Sequence, residues 1–253
     1  MKYKFPWFDE NEIGPFYLND TEWKNYEKKN KYNLPKRHLY HIRKSLRLKN
    51  DLCISLTNGI NKISKAILYE NDSVEKTSEN IKINSNYAKY CTVISPVNKK
   101  ALQIIIQKSV ELGVYGFYLI KSDRANYKIP SIERLKTIAE NAMFQAKNPI
   151  MPIFNINLNN IFDIKDKKDS LYFWGDSDSE NSLSDIIDPK NRFNEIIFIN
   201  GPEGGWSTRE KEFLKNNFHS IGLSDNVLRV ETAAICAAYH AKLLIRNISE
   251  SKR

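Results

Sequence analysis

The sequence predicts an α/β protein in two parts, a small β-rich unit followed by a larger unit built on a parallel sheet. Three observations carry that expectation. From Tyr90 onward short apolar runs alternate with stretches of helical periodicity, as parallel strands with covering helices require. Earlier in the chain, Leu52-Cys53-Ile54-Ser55-Leu56 and the run Ile63 to Leu68 flank Asn58-Gly59, a dipeptide suited to a tight turn between antiparallel strands. Between these regions the stretch from Glu70 to Asn86 is polar and is expected to be a linker. The expected domains are therefore residues 1–84 and 85–253.

The first element is a basic helical stretch from Arg37 to Arg47, followed by the hairpin. Cys91 to Ser95 is expected to open the parallel sheet. Lys99 to Leu112 follows as a helix, with Leu102, Ile105, Ile106, Ser109 and Leu112 on one face and Gly113 as its stop. Gly116 to Ile120 is the next strand. Ser131 then caps a helix reaching about Lys147, with Leu135, Ile138, Ala142 and Ala146 as its buried face. Leu171 to Trp174 is a strand, Asp176 to Asp185 an acidic, Ser-rich loop, and Glu195 to Asn200 a strand that ends at Gly201-Pro202-Glu203-Gly204-Gly205. Ser207-Thr208-Arg209-Glu210 is a capping box and starts a helix that stops near Asn217. Ser220 to Leu223 is a last strand, and Glu231 to Arg246 the last helix.

Composition excludes several classes. A hydrophobic fraction of 41% supports a packed core, so neither disulfides nor metal are needed for stability. Cys53, Cys91 and Cys236 are odd in number and far apart, which fits a reducing compartment and excludes a disulfide framework. No apolar run is long enough to span a membrane, and the N-terminal residues lack the apolar core of a secretion signal, so a cytoplasmic location is expected. His38 and His41 have H-x-x-H spacing without a third ligand beside them, and no metal site is expected.

Charge points to a polyanionic partner. The formal net charge is +9, and between Lys24 and Lys49 ten basic residues face the single acid Glu27. Tyr26, Tyr32, His38, Tyr40 and His41 are interleaved with them. Cations that track phosphates and rings that stack on bases are what RNA binding needs, although a solvated Lys-rich face has the same composition.

A strand that ends in a Gly-rich turn before a helix puts free N–H groups at the carboxyl edge of a sheet, where ligands bind in open α/β folds. The turn lacks the Gly-Lys-Ser/Thr of a P-loop and the G-x-G-x-x-G dinucleotide fingerprint, so a ligand without a polyphosphate is expected.

Together with Leu223-Ser224-Asp225-Asn226-Val227-Leu228-Arg229-Val230-Glu231-Thr232-Ala233, this turn resembles the G-P-E-G-G and L-G-x-x-I-L-R-x-E-T-A motifs of the ribosomal RNA small-subunit methyltransferase E family, in the SPOUT superfamily of knotted methyltransferases. Gln107-Lys108-Ser109-Val110-Glu111-Leu112-Gly113-Val114 is similar to its Q-K-x-x-E-L-G-V. Arg124 stands at its S-x-R segment, and Ala142, Gln145 and Pro152 match its A-x-x-Q-x-x-R-x-x-x-P pattern. His41-Ile42 with Leu46-Arg47-Leu48-Lys49 resembles H-L-x-x-x-L-R-L-K. The chain departs from the pattern at Ser224, Val230 and Asn148, where the family has Gly, often Thr, and usually Arg.

The resemblance implies a PUA-like β-barrel followed by a SPOUT α/β domain with a trefoil knot, a homodimer, and methylation of N3 of a uridine in 16S ribosomal RNA or the small subunit. S-adenosylmethionine would be held near Trp174 and Gly175, by Asn200, Gly201, Pro202, Glu203, Gly204 and Gly205, and by Leu223, Ser224, Val227, Leu228, Arg229, Glu231, Thr232 and Ala233. Methylating N3 requires an unpaired uracil whose proton can leave. Arg229 and then Arg124 are candidates for stabilising the uracil anion, and Glu203 or Glu231 for accepting a proton or holding the fold. Arg37, His41, Lys44, Arg47 and Lys49 are the candidate RNA contacts. Two alternatives stay open: a related methyltransferase acting on another RNA or position, and a non-catalytic RNA-binding ribosome-assembly factor.

Overall fold

The computed structural model describes residues 7–9, 11–29, 31–83, 89–165, 167–186 and 193–250. The chain divides into two compact units, Met1–Ser85 with Glu140–Met151, and Asn86–Ala139 with Pro152–Arg253. The expected boundary at 84/85 lies outside the described residues. The inclusion of Glu140–Met151 in the first unit is not signalled by the sequence.

In the first unit the elements are β1 (Ile13–Tyr17), α1 (Asp20–Lys28), β2 (Tyr32–Asn33), α2 (Lys36–Tyr40), β3 (Leu52–Thr57), β4 (Lys62–Leu68), β5 (Ser73–Lys76) and β6 (Ile81–Lys82). They form a six-stranded sheet in the order β1-β3-β4-β5-β2, with β6 also on β4. The hairpin expected at Asn58-Gly59 is present, with Leu52 opposite Leu68 and Thr57 opposite Ile63. Its turn is made by side-chain chemistry: Asn58 Oδ1 accepts from the N–H groups of Ile60, Asn61 and Lys62 at 3.0, 3.0 and 2.9 Å. Gly59 has φ +73°, and a Cβ there would lie 2.6 Å from Tyr17 Cε2, so only glycine fits.

Two expectations need correction here. The linker proposed for Glu70 to Asn86 contains β5 and β6, which read as polar because both are short and β5 buries only Val74. The basic helix does not run regularly to Arg47: α2 passes into a π-helical turn, His41–Ser45, and Arg47 adopts φ +57°.

Burial decides the fate of the aromatic residues. Trp23, Tyr26 and Tyr32 pack with Phe16, Leu18, Ile54 and Leu56 in one core. His38 is buried as well and donates from Nε2 to the Tyr17 carbonyl at 2.7 Å. Burial, then the neighbouring Arg37 charge, lowers its pKa to about 4. Because the folded value lies below the unfolded one near 6.5, its contribution to stability is complete above pH 6.5 and is lost as pH falls towards 4. Urea denaturation of His38→Gln against the parent chain is expected to show a shallower acid decline, by about 3 kcal/mol at pH 4. Identical pH profiles would show that His38 stays solvated.

The second unit contains β7 (Lys89–Ile94), α3 (Lys99–Glu111), β8 (Gly116–Leu119), α4 (Ile132–Ala146, shared with the first unit from Glu140), β9 (Ile153–Asn155), β10 (Ser170–Gly175), α5 (Leu183–Ile186), β11 (Glu195–Asn200), α6 (Thr208–Asn217), β12 (His219–Ile221) and α7 (Val230–Glu250). The sheet order is β12-β10-β11-β7-β8-β9 and every pairing is parallel. Buried on both faces, its central strands read as continuous apolar runs, which is why β7, β10 and β11 are legible. On α4 the buried residues are Leu135, Ala139, Ala142 and Met143, whereas Ile138 and Ala146 are only half-buried. The mixed α/β class is as expected.

Candidate functional site

The carboxyl ends of β10, β11 and β12 lie side by side in the sheet, and the loops leaving them enclose a cleft of about 650 Å³. That volume suits a nucleoside-sized ligand. Its wall is built from Gly175-Asp176-Ser177 at the end of β10, Gly201-Pro202-Glu203 with Gly205 after β11, and Leu223, Ser224 and Asn226 to Val230 leading into α7. Asn98, Phe198, Ile199, Asn200, Trp206, Glu231 and Ala233 complete it.

Each loop is held by identifiable contacts. Asn200 is buried at the end of β11 and donates from Nδ2 to the Val230 carbonyl at 3.2 Å, tying the Gly-rich turn to the start of α7. Glu203 reaches back to α3, where Oε1 accepts from Asn98 Nδ2 at 2.5 Å and from Asn98 N at 3.3 Å. Gly201 faces the Trp206 indole, and a Cβ there would come within 3.0 Å of its Nε1. Gly222 is tighter still: a Cβ would lie 2.5 Å from the Ser179 carbonyl oxygen, so the loop before α7 passes against the loop after β10 only as glycine.

The capping box forms as the sequence indicates. Ser207 Oγ accepts from Glu210 N at 3.4 Å, while Glu210 Oε2 accepts from Ser207 N at 2.9 Å. Glu210 is buried, and its other oxygen accepts from Asp123 N at 2.9 Å. Asp123 in turn receives Ser207 Oγ at 2.5 Å and Arg209 Nε at 2.6 Å, with Arg209 Nη2 on its second oxygen. The Arg209 guanidinium, aided by the Ser207 hydroxyl, holds the Asp123 carboxyl down at about 2. This clip places the neighbouring Arg124 against the turn, where Nη1 donates to the Gly204 carbonyl at 3.3 Å.

The cleft thus brings together nearly all the residues expected around a cofactor. Gly175, Asn200, Gly201, Pro202, Glu203, Gly205, Leu223, Ser224, Val227, Leu228, Arg229, Glu231 and Ala233 line it. Trp174 does not; its side chain is buried in the core cluster beside Ile197 and Ile199. Gly204 and Thr232 are exposed outside the lining, and Arg124 stands at Gly204 rather than in the wall. Sequence reasoning misses Asn98, Asp176, Ser177, Phe198, Ile199 and Trp206, which also line the cleft, as do Asn226 and Val230 within the motif from Leu223 to Ala233. A Gly or an Arg in a motif announces itself, whereas Asn98 becomes visible only once α3 and the turn are packed together.

Charge in the lining is one-sided. Asp176, Glu203 and Glu231 face Arg229 as the sole cation of the wall. Lys211 offsets Asp176 at 3.2 Å, which leaves Glu203 and Glu231. Such a wall repels phosphate and favours a ligand carrying positive charge. Among the described residues, nothing pairs with the exposed Arg229 guanidinium. No group of His, Cys, Asp and Glu among the described residues has the arrangement of a metal site.

In the first unit the candidate RNA contacts separate into two kinds. The Arg37 guanidinium is consumed by Glu22, Glu140 and the Tyr17 carbonyl, at 2.6 to 3.0 Å. His41 packs edge-on against Phe144 and is half-buried. Lys44, Arg47 and Lys49 are exposed.

The geometry has counterparts among known proteins. Residues 84–242 match the family model described as an RNA methyltransferase domain. The ribosomal RNA small subunit methyltransferase E of Rickettsia conorii is 27% identical over 219 residues, covering 82% of this chain and 87% of the relative. The protein of the same name from Mesomycoplasma hyopneumoniae is 28% identical over 221 residues, covering 83% and 93%. The crystal structure of ribosomal RNA small subunit methyltransferase E from Neisseria gonorrhoeae, bound to S-adenosyl methionine, superposes with a TM-score of 0.73 at 22% identity, covering 92% of this chain and 98% of that one. With the family model spanning most of its length, the chain belongs to the RNA methyltransferase family whose members include the ribosomal RNA small subunit methyltransferases E.

Proposed function

We propose that this chain methylates N3 of a uridine in the 16S RNA of the small ribosomal subunit, using S-adenosylmethionine. The observation that carries the reading is the cleft itself: a nucleoside-sized, acid-biased pocket at the carboxyl edge of a parallel sheet, with one arginine in its wall that has no partner among the described residues. The ligand supplies a methyl group on a sulfonium cation. Glu203 and Glu231 suit that positive charge. The apolar side chains of Ile199, Pro202, Leu223 and Leu228 suit an adenine ring. Arg229 would stabilise the negative charge that spreads over the uracil ring as the N3 proton leaves, with Arg124 as a second cation at the rim. With its Oε1 committed to Asn98, Glu203 is assigned to holding the turn, which leaves Glu231 as the proposed proton acceptor.

The reading extends to a knotted thread around this cleft, an RNA-binding PUA-like role for residues 1–84, and a homodimer. Tyr239 and Leu243, four residues apart on α7 and exposed, supply an apolar face for a second copy. Isothermal calorimetry with S-adenosylmethionine is expected to show one site per chain, and methylated 16S RNA to yield 3-methyluridine on digestion and mass spectrometry. A folded chain that fails to bind the cofactor would make it a non-catalytic RNA-binding factor; a product other than 3-methyluridine would move the target position.

A further inference from the structure

We infer that Tyr40 is a stacking platform for an unpaired base of single-stranded RNA, flanked by Lys36, Lys44 and Arg47 as phosphate contacts. The inference rests on RNA being the substrate and names where the first unit would grip it. It follows from elimination within the basic segment. Of the rings interleaved with its cations, Tyr26, Tyr32 and His38 are buried in the core, and His41 packs on Phe144. Tyr40 alone among them remains open, with 68% of its surface accessible. A tyrosine so placed gives nothing to the core of its own unit.

The cations divide in the same way. Arg37 is occupied by Glu22 and Glu140. Arg43 donates from Nε to Asp72 at 3.1 Å and from its other nitrogens to the carbonyls of Leu48, Lys49 and Tyr69 at 3.0, 2.9 and 2.8 Å. It therefore shapes the loop after the π-helical turn instead of meeting a ligand. Lys36, Lys44 and Arg47 are exposed, and none of them has an ion-pair partner among the described residues. Lys36 and Lys44 lie four residues either side of Tyr40 on continuous helical backbone, which puts all three on one face. Arg47 follows in the left-handed conformation, φ +57°, in the loop that Arg43 holds. One exposed ring between unpaired cations offers a π-face to a base and charges to the phosphates on either side of it, which duplex RNA, with its bases stacked inside, cannot use.

Binding of a fluorescent, unstructured uridine-rich RNA oligonucleotide and of an RNA hairpin duplex, each titrated across salt, tests this. Tyr40→Ala and Tyr40→Leu should weaken single-strand binding roughly tenfold or more, Tyr40→Phe should retain it, and none should change duplex binding or the salt slope. Lys44→Glu with Arg47→Glu should instead flatten the salt slope on single strands, by about 0.7 for each phosphate no longer neutralised. Unchanged single-strand affinity in both Tyr40→Ala and Tyr40→Leu overturns the platform, and so does an equal loss on duplex. A parent chain that binds neither RNA overturns the RNA-substrate reading itself.

Discussion

Replacing Arg229 by alanine is expected to lower kcat roughly 100- to 1000-fold while leaving the dissociation constant for S-adenosylmethionine within about threefold, the size of loss found when one preorganised charge partner is removed from a developing anion. The split follows from placement. Arg229 is exposed at the cleft wall and pairs with nothing among the described residues, so its guanidinium is available to a second molecule and does not support the fold. A cationic cofactor gains nothing from it, whereas an enolate-like uracil does. Arg229→Lys should recover part of the rate, because charge survives while the planar fork does not. Single-turnover measurements with saturating cofactor check this. Parent-like turnover in Arg229→Ala would pass the role to Arg124.

Much of this arrangement is legible in the sequence, for physical reasons that differ by element. The parallel strands β7, β10 and β11 are buried on both faces and show as plain apolar runs. The capping box at Ser207 and Glu210 is a local pattern and forms as written. The same kind of signal at Asn19 and Glu22, which cap α1 in the structure, stands in the sequence without an apolar run after it, and so does not announce a helix. The strand β1 is short and interrupted by Gly14-Pro15, and β5 and β6 are short and largely polar, so periodicity has little to act on. Within the site, motifs give the loops but not the groups that hold them. Asn98 and Asp123 act across 105 and 87 residues of chain, and such pairings exist only after folding. The charge count of the basic segment is blunt for a related reason, since it cannot tell Arg37 and Arg43, which satisfy backbone carbonyls and carboxylates, from Lys44 and Arg47, which are exposed.

Glu210 tests whether the cleft depends on that hidden scaffold. Its carboxylate is 1% exposed and accepts from two backbone N–H groups, Ser207 N at the start of α6 and Asp123 N in the loop that carries Arg124. Glu210→Ala deletes two charge-assisted hydrogen bonds and leaves both donors facing a small void, which should cost roughly 3 to 5 kcal/mol in urea denaturation. Glu210→Gln keeps the shape and one acceptor, so about half of that loss is expected. The functional consequence separates stability from positioning. At temperatures where both variants remain folded, Asp123→Ala, which cuts the Ser207 and Arg209 contacts but spares Glu210, should reduce turnover with parent-like cofactor affinity and add nothing further in an Arg124→Ala background. Full additivity of Asp123→Ala and Arg124→Ala would mean that the clip serves α6 alone. A coupled loss would show that the Asp123 clip, which ties the loop carrying Arg124 to Ser207 and Arg209 at the start of α6, orients that rim cation.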